Sequence, residues 1–89
     1  MSNVIDNRAA GRFELVRDGE TAIAAYRREG DAIVFTHTEV PPALEGHGVG
    51  SALVAGALEQ VRAAGLKVVP ACSFVAAYVR RHPEAADLA

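Results

Sequence analysis

The apolar positions of this 89-residue chain follow a period of two in the first half and a period near 3.6 in the second. Phe13-Glu14-Leu15-Val16 alternates as a half-buried strand does. Asp18-Gly19 then gives a two-residue hairpin signal, because both positions tolerate positive φ. Ala22-Ile23-Ala24-Ala25-Tyr26 forms the next strand, closed by a turn around Glu29-Gly30-Asp31. The run Ala32 to Val40 is the third strand, apolar on both faces early and polar toward its end. Pro41-Pro42 stops it, since proline cannot donate to a ladder. Val49, Leu53, Val54, Ala57, Leu58 and Val61 then share one stripe at helical spacing, and Gly65 supplies the positive-φ stop. Leu66-Lys67-Val68-Val69 reads as a fourth strand, reached by a right-handed parallel crossover. A last helix is expected from an N-cap at Ser73, with Phe74, Val75, Tyr78 and Val79 inward and Pro83 at its end. Residues 1–11 read as an irregular lead-in. The pattern predicts one α+β domain over residues 1–89, an antiparallel β-meander followed by a β-α-β crossover and a C-terminal helix.

Composition sharpens this in only a few places. Half of the residues are hydrophobic (51%) and 22% are charged, a globular balance. The formal net charge of −2 speaks against a broad grip on nucleic acid. Arg27-Arg28 and Arg80-Arg81 read as solvated faces. No apolar run approaches the roughly 18 residues of a membrane span, and Met1 to Asp6 lacks a basic region followed by an apolar block, so neither a membrane anchor nor a signal peptide is expected. Cys72 is the one cysteine; it fits a reducing cytoplasm. With three scattered histidines it shows no metal-ligand spacing, so no metal is expected.

The segment that carries chemistry is Glu45-Gly46-His47-Gly48-Val49-Gly50-Ser51, between a strand end and a helix start. The first N–H groups of a helix have no helical partners and sit at its positive end, so an anion is welcome there. Glycines let backbone approach a diphosphate closely. Spacing alone also allows a plain flexible turn. A P-loop is excluded because no Lys-Ser or Lys-Thr follows the last glycine. A dinucleotide fingerprint is excluded because Pro-Pro-Ala-Leu-Glu intervenes after the strand and no acidic residue falls near the required position.

Three stretches together, Phe35-Thr36-His37-Thr38-Glu39-Val40-Pro41-Pro42, the glycine loop, and Val69-Pro70-Ala71-Cys72-Ser73-Phe74-Val75 through Arg81-His82-Pro83, resemble the small GNAT-like N-acetyltransferase family. The resemblance covers nearly the whole chain and is most specific over residues 35–83. It implies a minimal GNAT-like fold, a mixed sheet splayed between the third and fourth strands, with acetyl-CoA in the gap. It implies an acetyl-CoA-dependent N-acetyltransferase acting on a primary amine (a protein lysine, a polyamine or a small amine), or alternatively a non-catalytic CoA-binding module within a complex. The family motif falls on Glu45, Gly46, His47, Gly48, Val49 and Gly50, followed by Ser51; Glu45 stands where Arg or Gln is usual, a mildly repulsive charge beside a diphosphate. The splay would also account for Pro70 in a central strand, and backbone at Glu39 and Val40 would pair with the pantetheine arm as an added strand does.

Acetyl transfer requires an amine proton to leave, an oxygen donor, and a proton for the departing thiolate. His37 is the candidate base, since imidazole titrates nearest neutrality; it also reads as a core or hydrogen-bonding histidine beside Phe35. Cys72, where the fourth strand meets the last helix, reads either as a reactive thiol at a helix start or as a small buried apolar residue. Tyr78 lies near where larger relatives carry a tyrosine that protonates the CoA thiolate, and its spacing equally makes it core. His82 reads as a helix-end cap. Direct transfer by positioning alone would make none of them essential. The acceptor is unspecified by the sequence, and a monomer or weak dimer is expected, with the first strand offering an unprotected edge.

Overall fold

The computed structural model describes residues 3–89. Five strands form one sheet in chain order: β1 (Ile5–Asn7), β2 (Arg12–Arg17), β3 (Glu20–Glu29), β4 (Ala32–Glu39) and β5 (Lys67–Pro70). The first four are antiparallel neighbours and β5 runs parallel to β4. Helix α1 (Val49–Ala63) makes the crossover, and α2 (Ser73–Arg81) follows β5. This is the expected meander, crossover and C-terminal helix.

The turns form for the reasons the residues suggest. Asp18 and Gly19 both take positive φ, 52° and 76°, the geometry whose twist suits a two-residue hairpin. Beyond α1, Gly65 is left-handed at 73°, and the Leu66 N–H donates to the Val61 carbonyl at 3.1 Å, closing the helix end.

Residues 1 and 2 of the lead-in lie outside the described residues, and from Ile5 onward it is not irregular. Ile5–Asn7 pairs with β2, and a short 3-10 turn (Arg8–Ala10) joins them. Tertiary contacts hold this strand: the Tyr26 hydroxyl donates to Asp6 Oδ1 at 2.6 Å, and Gln60 Nε2 donates to the Val4 carbonyl at 2.7 Å. The edge of β2 is therefore covered, not open. At the opposite side of the sheet, the Val68 N–H donates to Asp87 and the Ala89 N–H donates back to Val68, so the C-terminal segment lies along the free edge of β5. Short covering segments of this kind blunt a sheet's edges.

One hydrophobic core joins the sheet to both helices. Phe13, Ile33, Phe35, Leu53, Leu58, Val68 and Val75 are buried in it, each contributing roughly 1.5–3 kcal/mol relative to exposure. Phe13, Tyr26 and Phe35 form an aromatic trio with centroids 5.1, 6.0 and 6.5 Å apart. Phe74, expected inward, is 39% exposed: it faces a groove at the start of α2, while Val75 beside it is buried in the core.

Candidate functional site

Two irregularities in β4 shape the site. Pairing with β5 ends at Phe35↔Pro70, so Thr36 to Glu39 run on without that neighbour. Lys67 donates toward β4, to Asp31, and Val68 toward the outer edge, to Asp87, so the next donor due toward β4 is Ala71. Its N–H turns back to the Val69 carbonyl at 3.0 Å, and the Cys72 N–H bonds the Phe35 carbonyl at 2.9 Å instead. That contact turns the chain out of the sheet and starts α2. Cys72, not Ser73, is the N-cap residue, and it makes no side-chain cap. The second irregularity is a bulge. Tyr26 pairs with Phe35 but Ala25 pairs with His37, which leaves Thr36 as the extra residue. A one-residue slip exchanges faces. Thr38, opposite the buried Ala24, therefore faces the helices, whereas His37 and Glu39 face the other way.

The resulting groove, about 600 Å³, runs from the end of β4 to the start of α1. Thr38, Glu39 and Val40 form one wall, Phe74 another, and the glycine loop the third. Gly46 and Gly48 are left-handed, at 80° and 72°, with open space where a side chain would stand. Gly50 differs: a Cβ there would lie 2.7 Å from Phe74 Cζ and 3.3 Å from Val40 Cγ2. The helix start carries no side-chain cap, so the N–H groups of Val49, Gly50 and Ser51 are available to a ligand. Ala52 is the first residue whose N–H bonds back, to Gly48.

The structure brings some of the sequence candidates together and separates others. Glu39, Val40, Glu45, Gly46, Gly48, Val49, Gly50 and Ser51 all line the groove; His47 is exposed on the same loop but outside that lining. Cys72 is buried behind Thr38, with Sγ 3.2 Å from Thr38 Oγ1. Burial pushes its thiol up, but the Thr38 hydroxyl and the N–H groups of Val75, Phe74 and Thr38 favour the thiolate and bring the net value below the ordinary one. His37 is not in the core beside Phe35. It is 60% exposed on the opposite face, with Nε2 3.1 Å from Glu39 Oε2. Tyr78 is half-buried against the core, its ring 4.6 Å from that of His82. His82 does end α2, through its backbone N–H to the Tyr78 carbonyl. Sequence reasoning missed Thr38, Leu44 and Phe74 as lining residues. Among the described residues no group of three or more His, Cys, Asp or Glu could hold a metal ion, and no helix is long and apolar enough to cross a membrane.

A sheet forked at its parallel pair, with a glycine-rich helix start in the fork, can be compared with known proteins. The sequence profile of the GCN5-related N-acetyl-transferase family matches residues 12–88. The chain belongs to that family. A GCN5-like protein from Staphylococcus aureus, solved by NMR in solution, superposes with a TM-score of 0.70 at 28% identity, over 96% of this chain and 86% of that one. No curated protein matches the sequence significantly. The acetyltransferase is thus an α+β enzyme of the GCN5-related kind, and the family's use of acetyl-CoA gives the groove its candidate ligand.

Proposed function

We propose that the groove binds acetyl-coenzyme A and that residues 1–89 act as one unit passing its acetyl group directly to a primary amine. The observation that carries this reading is the uncapped start of α1, three free N–H groups opening into a groove whose floor is kept clear by Gly50. These donors, at the positive end of a 15-residue helix, suit a diphosphate. Backbone at Gly46 and Gly48 can approach it without side chains in the way. Past Phe35, β4 has lost its β5 neighbour, so the backbone of Glu39 and Val40 is free to pair with the amide groups of a pantetheine arm.

Acetyl-CoA supplies an activated thioester. The amine lone pair forms the new N–C bond as the C–S bond breaks, the sulfur leaves with the electron pair and takes a proton, and the amine nitrogen gives one up. In this reading His37 receives the amine proton on the open face of the sheet. Thr38 and Cys72, in contact at the groove wall, stand nearest the leaving sulfur, and the Tyr78 hydroxyl is the third candidate there. Holding the two reactants in place supplies much of the rate acceleration. The lone cysteine suits a reducing cytoplasm.

Parallel calorimetric titrations with acetyl-CoA, coenzyme A and ATP test the proposal. Saturable binding of the first two with much weaker binding of ATP is expected, followed by amine-dependent release of free thiol. Absence of binding at millimolar acetyl-CoA would overturn it.

A further inference from the structure

On the opposite face of the sheet a second hollow, about 320 Å³, is formed by Thr21, Ile23, Glu39, Val40, Pro41 and Pro42. It shares Glu39 and Val40 with the groove, so the two depressions meet at the end of β4, one on each side. The register places Ile23 opposite Glu39, and His37 opposite Ala25 on the same face. We propose, resting on the acetyl-CoA reading above, that this second hollow is the acceptor site and takes a primary ammonium on a flexible apolar stem.

Charge and shape both point to that class. The Glu39 carboxylate is 65% exposed, and His37 is its one ion-pair partner among the described residues, so it has lone pairs left for an incoming cation. Arg12, which also borders the hollow, is turned to Glu14 at 2.7 Å, and Asn7 holds the same carboxylate. That guanidinium lowers the Glu14 carboxyl below its usual range, and the pair leaves Glu39 as the uncompensated charge. Ile23, Val40, Pro41 and Pro42 make the remaining wall apolar, which suits a run of methylenes. An ammonium bound at Glu39 also lies beside His37, the group that would receive its proton before attack across the β4 end. Anionic acceptors are disfavoured, because Glu39 and, on the rim of the adjoining groove, Glu45 would repel them.

The test is steady-state thiol release at saturating acetyl-CoA with three acceptors: a linear diamine, a peptide with one internal lysine, and an aminosulfonate of matched length. Wild type, Glu39→Gln and Thr21→Arg are compared, and calorimetry gives acetyl-CoA affinity for each. Thr21 is exposed on β3, so its replacement adds a positive charge to the hollow without touching the core. The expected result is turnover of the diamine or the lysyl peptide but not the aminosulfonate. Both variants should raise KM for the cationic acceptor by roughly tenfold, since a charge-assisted contact is lost or opposed, with the acetyl-CoA affinity of Thr21→Arg, which lies outside the groove, within about twofold of wild type. Preference for the diamine or the peptide tells a small-molecule acceptor from a protein one. Unchanged KM in both variants of an enzyme that still binds and turns over acetyl-CoA, or equal use of the aminosulfonate, would overturn the acceptor assignment alone. Failure of wild type to bind acetyl-CoA would instead remove the cofactor reading and this inference with it.

Discussion

Replacing Gly50 with alanine separates the fold from the function. The added Cβ would sit 2.7 Å from Phe74 Cζ, closer than carbon atoms approach, and a tight 3.3 Å from Phe74 Cε2 and Val40 Cγ2. Overpacking of a rigid core costs about 1–3 kcal/mol. Here the obstructing atom is the far end of a ring that is 39% exposed, so the ring can turn outward for about 1 kcal/mol of rotamer strain. Against this, alanine is favoured over glycine inside a helix by about 0.5–1 kcal/mol. The two nearly cancel, and Tm should move by no more than about 6 °C, the shift that 1 kcal/mol produces in a domain of this size. Ligand binding has no such compensation, because the methyl narrows the groove and the Phe74 ring that lines it must move. Acetyl-CoA affinity should fall at least tenfold, about 1.4 kcal/mol or more. Thermal unfolding by circular dichroism and calorimetric titration measure the two effects. Adding Phe74→Leu should restore part of the affinity by shortening the obstructing side chain. A Kd within twofold of wild type in Gly50→Ala would refute the placement of the ligand. A fall in Tm beyond about 12 °C would refute the mobility of the ring.

Three further outcomes follow from the site and its surroundings. Glu45→Arg should tighten acetyl-CoA binding by about threefold or more per charge removed, as expected for a carboxylate some 6 Å from a phosphate in water, and the gain should shrink as salt is raised; titrations at two ionic strengths check this. The Cys72 thiol, held below its ordinary value, should react with iodoacetamide along a pH profile whose midpoint lies below 9, and Thr38→Val should move it upward. Because the folded value is the lower one, the associated stability is complete above the unfolded thiol's value and is lost as pH falls through the folded value. Tyr26, whose burial and bond to Asp6 push it up to about 12, should ionise late in an ultraviolet titration; its stabilisation is complete below about 10 and is lost toward 12. Tyr26→Phe should cost about 1 kcal/mol in urea unfolding through the lost hydrogen bond.

What the sequence made legible is what local chemistry decides. Asp18-Gly19, Gly65 and the apolar stripe of α1 each carry their conformation in a few adjacent residues, and each forms as they indicate. The strand Ile5–Asn7 was illegible because nothing in Ile-Asp-Asn alternates; Tyr26 and Gln60, distant in sequence, hold it. The bulge at Thr36 was illegible for a different reason. Thr36-His37-Thr38-Glu39 is polar at every position, so a one-residue slip exchanges no apolar side chain for a polar one and leaves no trace in the pattern. Phe74 was assigned inward because helical spacing cannot tell a core-facing residue from one that faces Gly50 across a groove.

The bulge and the turn that follows Pro70 act together. Without the slip at Thr36, regular alternation would put His37 and Glu39 on the same face as Phe35, against Cys72 and the helices, and would send Thr38 to the open face. At the parallel pair, the fork opens where the Ala71 N–H turns back to the Val69 carbonyl and the Cys72 N–H takes the Phe35 carbonyl, which swings the chain out of β5 and into α2. Each irregularity weakens the sheet locally, by an unpaired residue in one case and by a donor turned back on its own strand in the other. Together they leave β4 with a backbone edge facing a groove, a hydroxyl directed at a thiol, and an imidazole–carboxylate pair on the reverse side. That arrangement keeps the group proposed to accept the amine proton on the acceptor's side and the groups proposed to meet the leaving sulfur on the cofactor's side. Deleting Thr36 would remove the extra residue while leaving His37 opposite Ala25 and Thr38 opposite Ala24. The Thr38–Cys72 contact and the lowered Cys72 thiol should both persist, and a midpoint for Cys72 alkylation that rises in this variant would refute the bulge assignment.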